Sequence, residues 1–301
     1  MGAAWSAAQA WAAQSLGLGS AAGPGAAGQV VGRHGGEEED EEERGLAQYK
    51  DPDFHARLRK DWPEDGEQLH SGGWAMTKKL MEDVERWLEE KAIAAPDARL
   101  LDLCCGEGST PIYYAKERGW DSVGIDISET AIAAARAAAS KANVQDKATF
   151  VVGSAFKLPF QAEAFDVIYG QDPDALSLPQ RPACFRDCLR TLRSGGILAF
   201  HHHWIPGPGW DESTLKQYCA ESGSDEVHAD QYVQDLEAAG FRVEVAESIS
   251  ALASSHLHGQ LERMKARVAN EGGVVQPWLV KTCEYIDKGH AFGVRIVARK
   301  P

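Results

Sequence analysis

Between Arg99 and Phe200 the chain alternates short apolar runs with longer segments whose apolar residues recur every three to four positions. That alternation is the tightest constraint on the fold, because strands alternating with helices of about 10 to 15 residues build a parallel sheet covered on both faces. The strands read as Arg99–Leu103, Ser122–Ile127, Thr149–Gly153, Phe165–Tyr169 and, after a turn at Ser194 and Gly195, Gly196–Phe200. Helices read as Gly108–Arg118, as a segment from a Ser128 cap to Asn143 with Glu129 and Thr130 in its first turn, and as Ala183–Leu192. Further on come a helix at Ala229–Ala239, a strand at Arg242–Glu247, a helical insertion at Ser250–Glu271 and a last strand at Ala291–Ala298. The expected fold class is α/β: a doubly wound, mostly parallel, seven-stranded sheet with helices on both faces.

Upstream, Trp74, Met76, Leu80, Met81, Val84, Trp87 and Leu88 mark an amphipathic helix over Gly73–Glu90, ended before Pro96. Three regions follow: a leader and linker at 1–45, an N-terminal helical lid at 46–97 and the sheet domain at 98–301. Met1 to Gly36 is rich in Ala, Gly and Ser, has no acid and only Arg33 as a base, and carries Trp5 and Trp11. Disorder or targeting is the expected role of this stretch. Glu37 to Glu43 is seven consecutive acids, a solvated and self-repelling linker. The expected location is cytoplasmic, or an organelle if the leader is a transit peptide.

Without the leader and the acidic run, 30 basic and 38 acidic residues remain of the 31 and 45 in the whole chain. The overall net charge of −14 argues against nucleic acid as a partner, since gripping a phosphate backbone takes several unopposed Lys and Arg. No apolar run approaches the ~18 residues a membrane span needs, so no membrane partner is expected. Six cysteines form no paired spacing of the kind that holds zinc or a disulfide framework.

The chemistry gathers at Leu100-Leu101-Asp102-Leu103-Cys104-Cys105-Gly106-Glu107-Gly108, a strand that runs through a glycine turn into a helix. Glycine there removes the Cβ that would keep a ligand off the backbone. Eighteen residues past Gly108 the next strand ends at Asp126, whose carboxylate can accept both hydroxyls of a ribose. Together they point to a nucleoside cofactor. A dinucleotide fingerprint would have a third glycine where Pro111 stands, and Asp102 would repel a pyrophosphate; an acid there suits a cationic amino-acid tail.

At this level the chain resembles the Rossmann-like S-adenosylmethionine-dependent methyltransferases over roughly Leu80 to Pro301. Leu101-Asp102 through Gly108 looks like their first motif, Gly124-Ile125-Asp126 their second, Gly153 to Phe160 their third, Phe165 to Gly170 their fourth, and Leu192 to Leu198 the turn before the fifth strand. The resemblance implies S-adenosyl-L-methionine as cofactor, held by Asp102, Cys104, Gly106, Gly108, Asp126, Ile127, Ser154, Ala155 and Gln171. Cys104 stands where the family usually has a glycine, and Ser154 where it has an acid for the adenine amine. A narrower resemblance, to the glycine, sarcosine and dimethylglycine N-methyltransferases of betaine synthesis, rests on five patches. They are Tyr49 to Phe54, Trp62 with Glu67 to Trp74, Tyr169 to Asp172, Leu252 to His256, and Tyr285 to Val294.

That resemblance implies Gln171 and Asp172 at the end of the fourth strand, facing cofactor and acceptor, with His70 and Trp74 on the N-terminal lid. Asp172 and, from the histidine run after the fifth strand where the betaine enzymes differ, His202 are the expected catalytic residues, with Trp62, His70, Trp74, His203, Trp204 and His256 expected on the acceptor. Methyl transfer from a sulfonium is an in-line displacement that needs positioning and water exclusion, with no metal. An amine acceptor must arrive unprotonated, and Asp172 or a histidine can take its proton. Tryptophan faces can hold a methylated ammonium, though each of these tryptophans could equally pack a core or lid. His201 and His203 share one face of a strand and His202 the other, which makes three metal ligands from this run awkward. An acceptor carboxylate could draw on His202, His203, Arg181 or Arg186, with Arg181 and Arg186 also readable as surface helix charges. The expected reaction is N-methylation of sarcosine or dimethylglycine toward an osmolyte, by a monomer or homodimer. Rivals are S-methylation of a methylthio-hydroxy acid, a non-catalytic cofactor-binding protein, and an NAD-linked dehydrogenase. Cys104 and Cys105 also admit a redox reading beside the packing one.

Overall fold

The computed structural model describes residues 50–53, 70, 72–93, 97–206, 212–213, 215–216, 229–288 and 291–301, with the side chains of 203–206, 278 and 291–292 left out. The leader, the acidic run and Trp62 lie outside the described residues. One sheet of seven strands organises the rest: β1 Arg99–Leu103, β2 Asp121–Asp126, β3 Ala148–Val152, β4 Phe165–Gln171, β5 Leu192–Pro206, β6 Arg242–Ser248 and β7 Ala291–Arg299. Their order across the sheet is β3-β2-β1-β4-β5-β7-β6. The first five are parallel neighbours, and β7 enters antiparallel between β5 and β6. The sheet is the doubly wound α/β fold read from the sequence.

Helices cover both faces: α1 Gly73–Glu90, α2 Ser109–Arg118, α3 Glu129–Lys141, α4 Arg181–Thr191, α5 Ala229–Ala239, α6 Ser250–Glu271 and α7 Pro277–Asp287. On one face Leu80, Met81, Val84 and Trp87 of α1 pack on Leu100, Val167, Ile197 and Val297. The apolar stripe of α1 is therefore spent on the sheet, and Trp87 Nε1 donates to Gly195 O at 3.1 Å. On the other face Cys184, Phe185 and Cys188 of α4 and Tyr232 and Leu236 of α5 meet Ile168, Leu198, Phe200 and Ile296. Ser128 caps α3 as its sequence predicts, its side chain accepting from Ala131 N.

Two boundaries and one helix differ from the sequence reading. Helix α4 starts at Arg181 and stops at Thr191, because Leu192 already pairs with Phe165 in β5; a register shift between Phe165 and Val167 absorbs the Ser194-Gly195 turn. Strand β5 does not stop at Phe200 but runs through the histidines to Pro206, paired with β7 from Ile197 onward across a register shift between His202 and Ile205. Helix α7, opened by Pro277 at its first position, was not foreseen; it packs Leu279 and Cys283 on Leu257, Leu261 and Met264 of α6. Among the described residues no helix is long and apolar enough to cross a membrane.

Candidate functional site

The turn after β1 is wound through left-handed backbone at Cys104, Gly106 and Gly108. Two amides close it: Cys105 N donates to Ile125 O, and Gly106 N to Asp126 Oδ2, both at 2.9 Å. The other Asp126 oxygen accepts from Ser128 N at 2.9 Å. Each Asp126 oxygen thus accepts one backbone amide, and a carboxylate oxygen has about two acceptor positions. Asp102 lies beneath this turn at 3% exposure, and burial, with Asp126 adding to it, pushes its carboxyl well above the usual carboxylate range.

The two glycines of the turn differ in role. Gly106 presents its amide to Asp126, whereas a Cβ on Gly108 would stand 2.4 Å from the Phe150 ring. Gly108 therefore seats α2 against the sheet, and its absent side chain makes room for protein rather than for a ligand. The Cys104 and Cys105 thiols are both pushed up by burial, with the Asp126 charge adding to it, so neither is the ready thiolate a redox pair requires. Beyond β3, Ser154 Oγ accepts from Phe156 N at 3.2 Å in a tight turn, Ala155 is buried, and Ile127 packs on the core beside them.

The second half of the site is a row across three strands. Gln171 of β4, His201 of β5 and Arg295 of β7 are register partners, so their side chains rise from one face, above the apolar row of Tyr169, Ala199 and Val297. Gln171 Nε2 donates to Thr110 Oγ1 of α2 at 2.6 Å, and its buried Oε1 has no hydrogen-bond partner among the described residues. Arg295 is tied to Asp83 of α1 and Glu247 of β6. Asp172 follows in left-handed backbone (φ 48°), its carboxylate 7% exposed and Oδ1 3.3 Å from His201 Nδ1. The His201 ring is fully buried, and neither nitrogen makes an aligned hydrogen bond among the described residues. Leaving such a group unsatisfied costs about 1 to 3 kcal/mol. His70, its Nε2 2.9 Å from Thr77 Oγ1, sets its ring 5.2 Å from that of His201.

The structure thus brings Gln171, Asp172 and His70 together, and adds His201, which the sequence reading did not place in the site. Its signal was phase: two residues past Ala199 on a continuing strand puts it on the α1 face. His202 points to the opposite layer, 3.4 Å from Ser177 Oγ and against the Tyr232 ring, so the geometry does not pair it with Asp172. Trp74 packs 4.4 Å from Tyr113 of α2, and His256 is half-buried on α6. His203 and Trp204 lie in β5, their side chains outside the described set. Arg181 corrects its reading as a surface charge: it is 3% exposed, held by Asp235 at 2.8 Å and by Leu176 O.

A family model described as "Methyltransferase domain" matches residues 100–196. The 27-O-demethylrifamycin SV methyltransferase of Amycolatopsis mediterranei is 32% identical over 194 residues, covering 62% of this chain and 70% of that one. The chain spans less of two other curated relatives, 63% and 37% of their lengths. The Haemonchus contortus phosphoethanolamine N-methyltransferase 2, solved with S-adenosyl-L-methionine, superposes with a TM-score of 0.68 at 19% identity, covering 87% of this chain and 59% of that one. A putative sarcosine dimethylglycine methyltransferase from Galdieria sulphuraria gives 0.67 at 17%, covering 83% and 98%. With the fold and the first turn, these matches place the chain in a family: it belongs to the class I S-adenosylmethionine-dependent methyltransferases. Its cofactor is S-adenosyl-L-methionine, and the open acceptor positions of Asp126 beside Gly106 fit the ribose of that molecule.

Proposed function

We propose that the chain methylates the nitrogen of a small amine-bearing acid, with sarcosine and dimethylglycine as the leading acceptors. One observation carries the proposal: a buried carboxylate, Asp172, closes β4 next to an imidazole, at the sheet edge where doubly wound folds bind ligands. Its left-handed backbone costs on the order of 1 kcal/mol and is sustained by the amide of Asp172 donating to His201 O at 3.0 Å. A carboxylate so placed attracts an ammonium, draws off its proton and leaves a neutral nitrogen to attack.

When bound, the cofactor supplies an electrophilic methyl on a sulfonium whose sulfur departs with the bonding electrons. In the proposed arrangement Asp126, Gly106 and Ile127 hold its ribose side, Ser154 and Ala155 the adenine, and Asp102, Cys104 and Gln171 the amino-acid end. The free Oε1 of Gln171 is suited to the tail ammonium. His70 and Trp74 stand at the acceptor; Trp62, His203, Trp204 and His256 complete the proposed set. Positioning of this kind supplies up to about 7 to 11 kcal/mol of barrier reduction, so no metal is called for.

The test is mass spectrometry after incubation with S-adenosyl-L-methionine and a pool of glycine, sarcosine, dimethylglycine and methylthio-hydroxybutyrate. A gain of one CH2 on sarcosine or dimethylglycine supports the proposal. A gain on the thioether instead makes the protein an S-methyltransferase. Cofactor binding without any product removes both and favours a binding protein.

A further inference from the structure

Resting on the amine reading above, we infer that His201 is a positioning residue that takes over the acceptor's proton from Asp172, the two forming one carboxylate–imidazole relay at the end of β4 and β5. The motive is a mismatch of base strengths. A free carboxylate titrates at about 3.9 and a free imidazole at about 6.5, so a carboxylate alone is the poorer base for an ammonium by more than two units. A fully buried histidine cannot reach an acceptor itself, yet its Nδ1 lies 3.3 Å from Asp172 Oδ1 with both ring nitrogens unsatisfied. Small ring and carboxylate rotations complete the bond, and catalytic hydrogen bonds in ligand-free structures are often loose in this way.

Charged and titratable groups from four elements face the ring. Asp172 faces His201 Nδ1 at 3.3 Å. Arg295 lies opposite His201 on β7, and its charge is balanced by Asp83 from α1 and Glu247 from β6. His70, from the segment before α1, faces the ring at 5.2 Å and is engaged with Thr77. Gln171 on β4 is neutral. The step balances as follows: the acceptor ammonium gives its proton to Asp172, Asp172 passes one to His201 Nδ1, and the nitrogen lone pair then forms the N–CH3 bond. The bond from that methyl to sulfur breaks with its electron pair on sulfur. When the product departs, the proton returns from His201 Nδ1 to Asp172, the partly exposed member of the pair, and passes from there to solvent.

Two readouts test the pair on the full chain. Proton NMR of the complex with S-adenosylhomocysteine and dimethylglycine should show a far-downfield ring N–H resonance that disappears in both H201Q and D172N. Its absence in the wild type overturns the relay. In turnover, H201Q should lose about 100-fold in kcat with little change in the KM for S-adenosyl-L-methionine, move the acid limb of the pH profile to lower pH, and be no worse when combined with D172N. An unchanged rate and profile in H201Q overturns the relay even if the resonance is present. H201N, which keeps a nitrogen near the Nδ1 position, serves if H201Q does not fold, and cofactor affinity and Tm report folding for each variant. If the resonance appears but no amine is methylated, the carboxylate–imidazole pair stands and the amine acceptor falls.

Discussion

The Asp126 oxygens fasten the turn after β1 and the start of α3 through the Gly106 and Ser128 amides, and in the proposed arrangement they also accept the ribose hydroxyls. Asp126→Ala should therefore lower S-adenosylhomocysteine affinity by at least about 100-fold, the loss of two charge-assisted hydrogen bonds at roughly 1.5 kcal/mol each. Calorimetric titration reads it, and an unchanged affinity would put the ribose elsewhere. Gly108→Ala separates a structural glycine from a ligand-facing one. Its Cβ would collide with Phe150 from a left-handed backbone, so stability in urea should fall by about 2 to 4 kcal/mol. The first motif was legible because its residue types are dictated by backbone curvature and cofactor chemistry. His201 was not, since a buried imidazole and a surface one are the same letter, and only the length of β5 decides between them.

Among elements, the parallel strands and their helices could be read because apolar periodicity encodes them directly. What escaped was set by pairing between distant segments. Strand β5 continues past Phe200 because β7 hydrogen-bonds to it through the histidines, and polar letters in a row gave no sign of that. Helix α7 did carry a local sign in Pro277, but its apolar face makes sense only against α6. The seam between α1 and β7 rests on the Arg295–Asp83 pair, with Asp83 5% exposed. Arg295→Met should cost about 3 to 5 kcal/mol by stranding that carboxylate, and adding Asp83→Asn should recover much of it. At the α6–α7 seam His258 bridges Ser254 O at 2.8 Å and Asp287 at 3.1 Å. The Ser254 carbonyl first, and Asp287 with it, raise its pKa above the ordinary imidazole value. A raised folded-state pKa stabilises below the unfolded value of about 6.5 and is lost as pH climbs through the folded one. His258→Ala should accordingly lower Tm by up to about 2 °C at pH 6 and by less at pH 9, a small effect because the pair is exposed. An equal deficit at both pH values would show that packing, not charge, is what His258 contributes.

On the scale of the whole molecule, the sheet supplies both halves of the proposed site: β1 and β2 lead into the glycine turn and Asp126, and β4 and β5 carry the Asp172–His201 pair. Ligand binding should therefore stabilise the folded unit as a unit. S-adenosylhomocysteine at a hundred times its Kd adds about 2.7 kcal/mol, which for a domain of this size raises Tm by about 5 to 10 °C. We further propose that residues 1–45 take no part in this unit, since the leader lacks the apolar periodicity of a core element and the acidic run repels itself. A chain starting at Leu46 should then show the same Tm, the same ligand-induced rise and the same Kd as the full chain. The comparison is sensitive in one direction that matters: seven acids set against a site entered by a cationic cofactor would alter its capture electrostatically. If truncation weakens binding at low salt and the difference vanishes at high salt, the acidic run acts on the site through its field. If it weakens binding at every salt concentration, the leader is part of the pocket and the boundary at residue 45 is wrong.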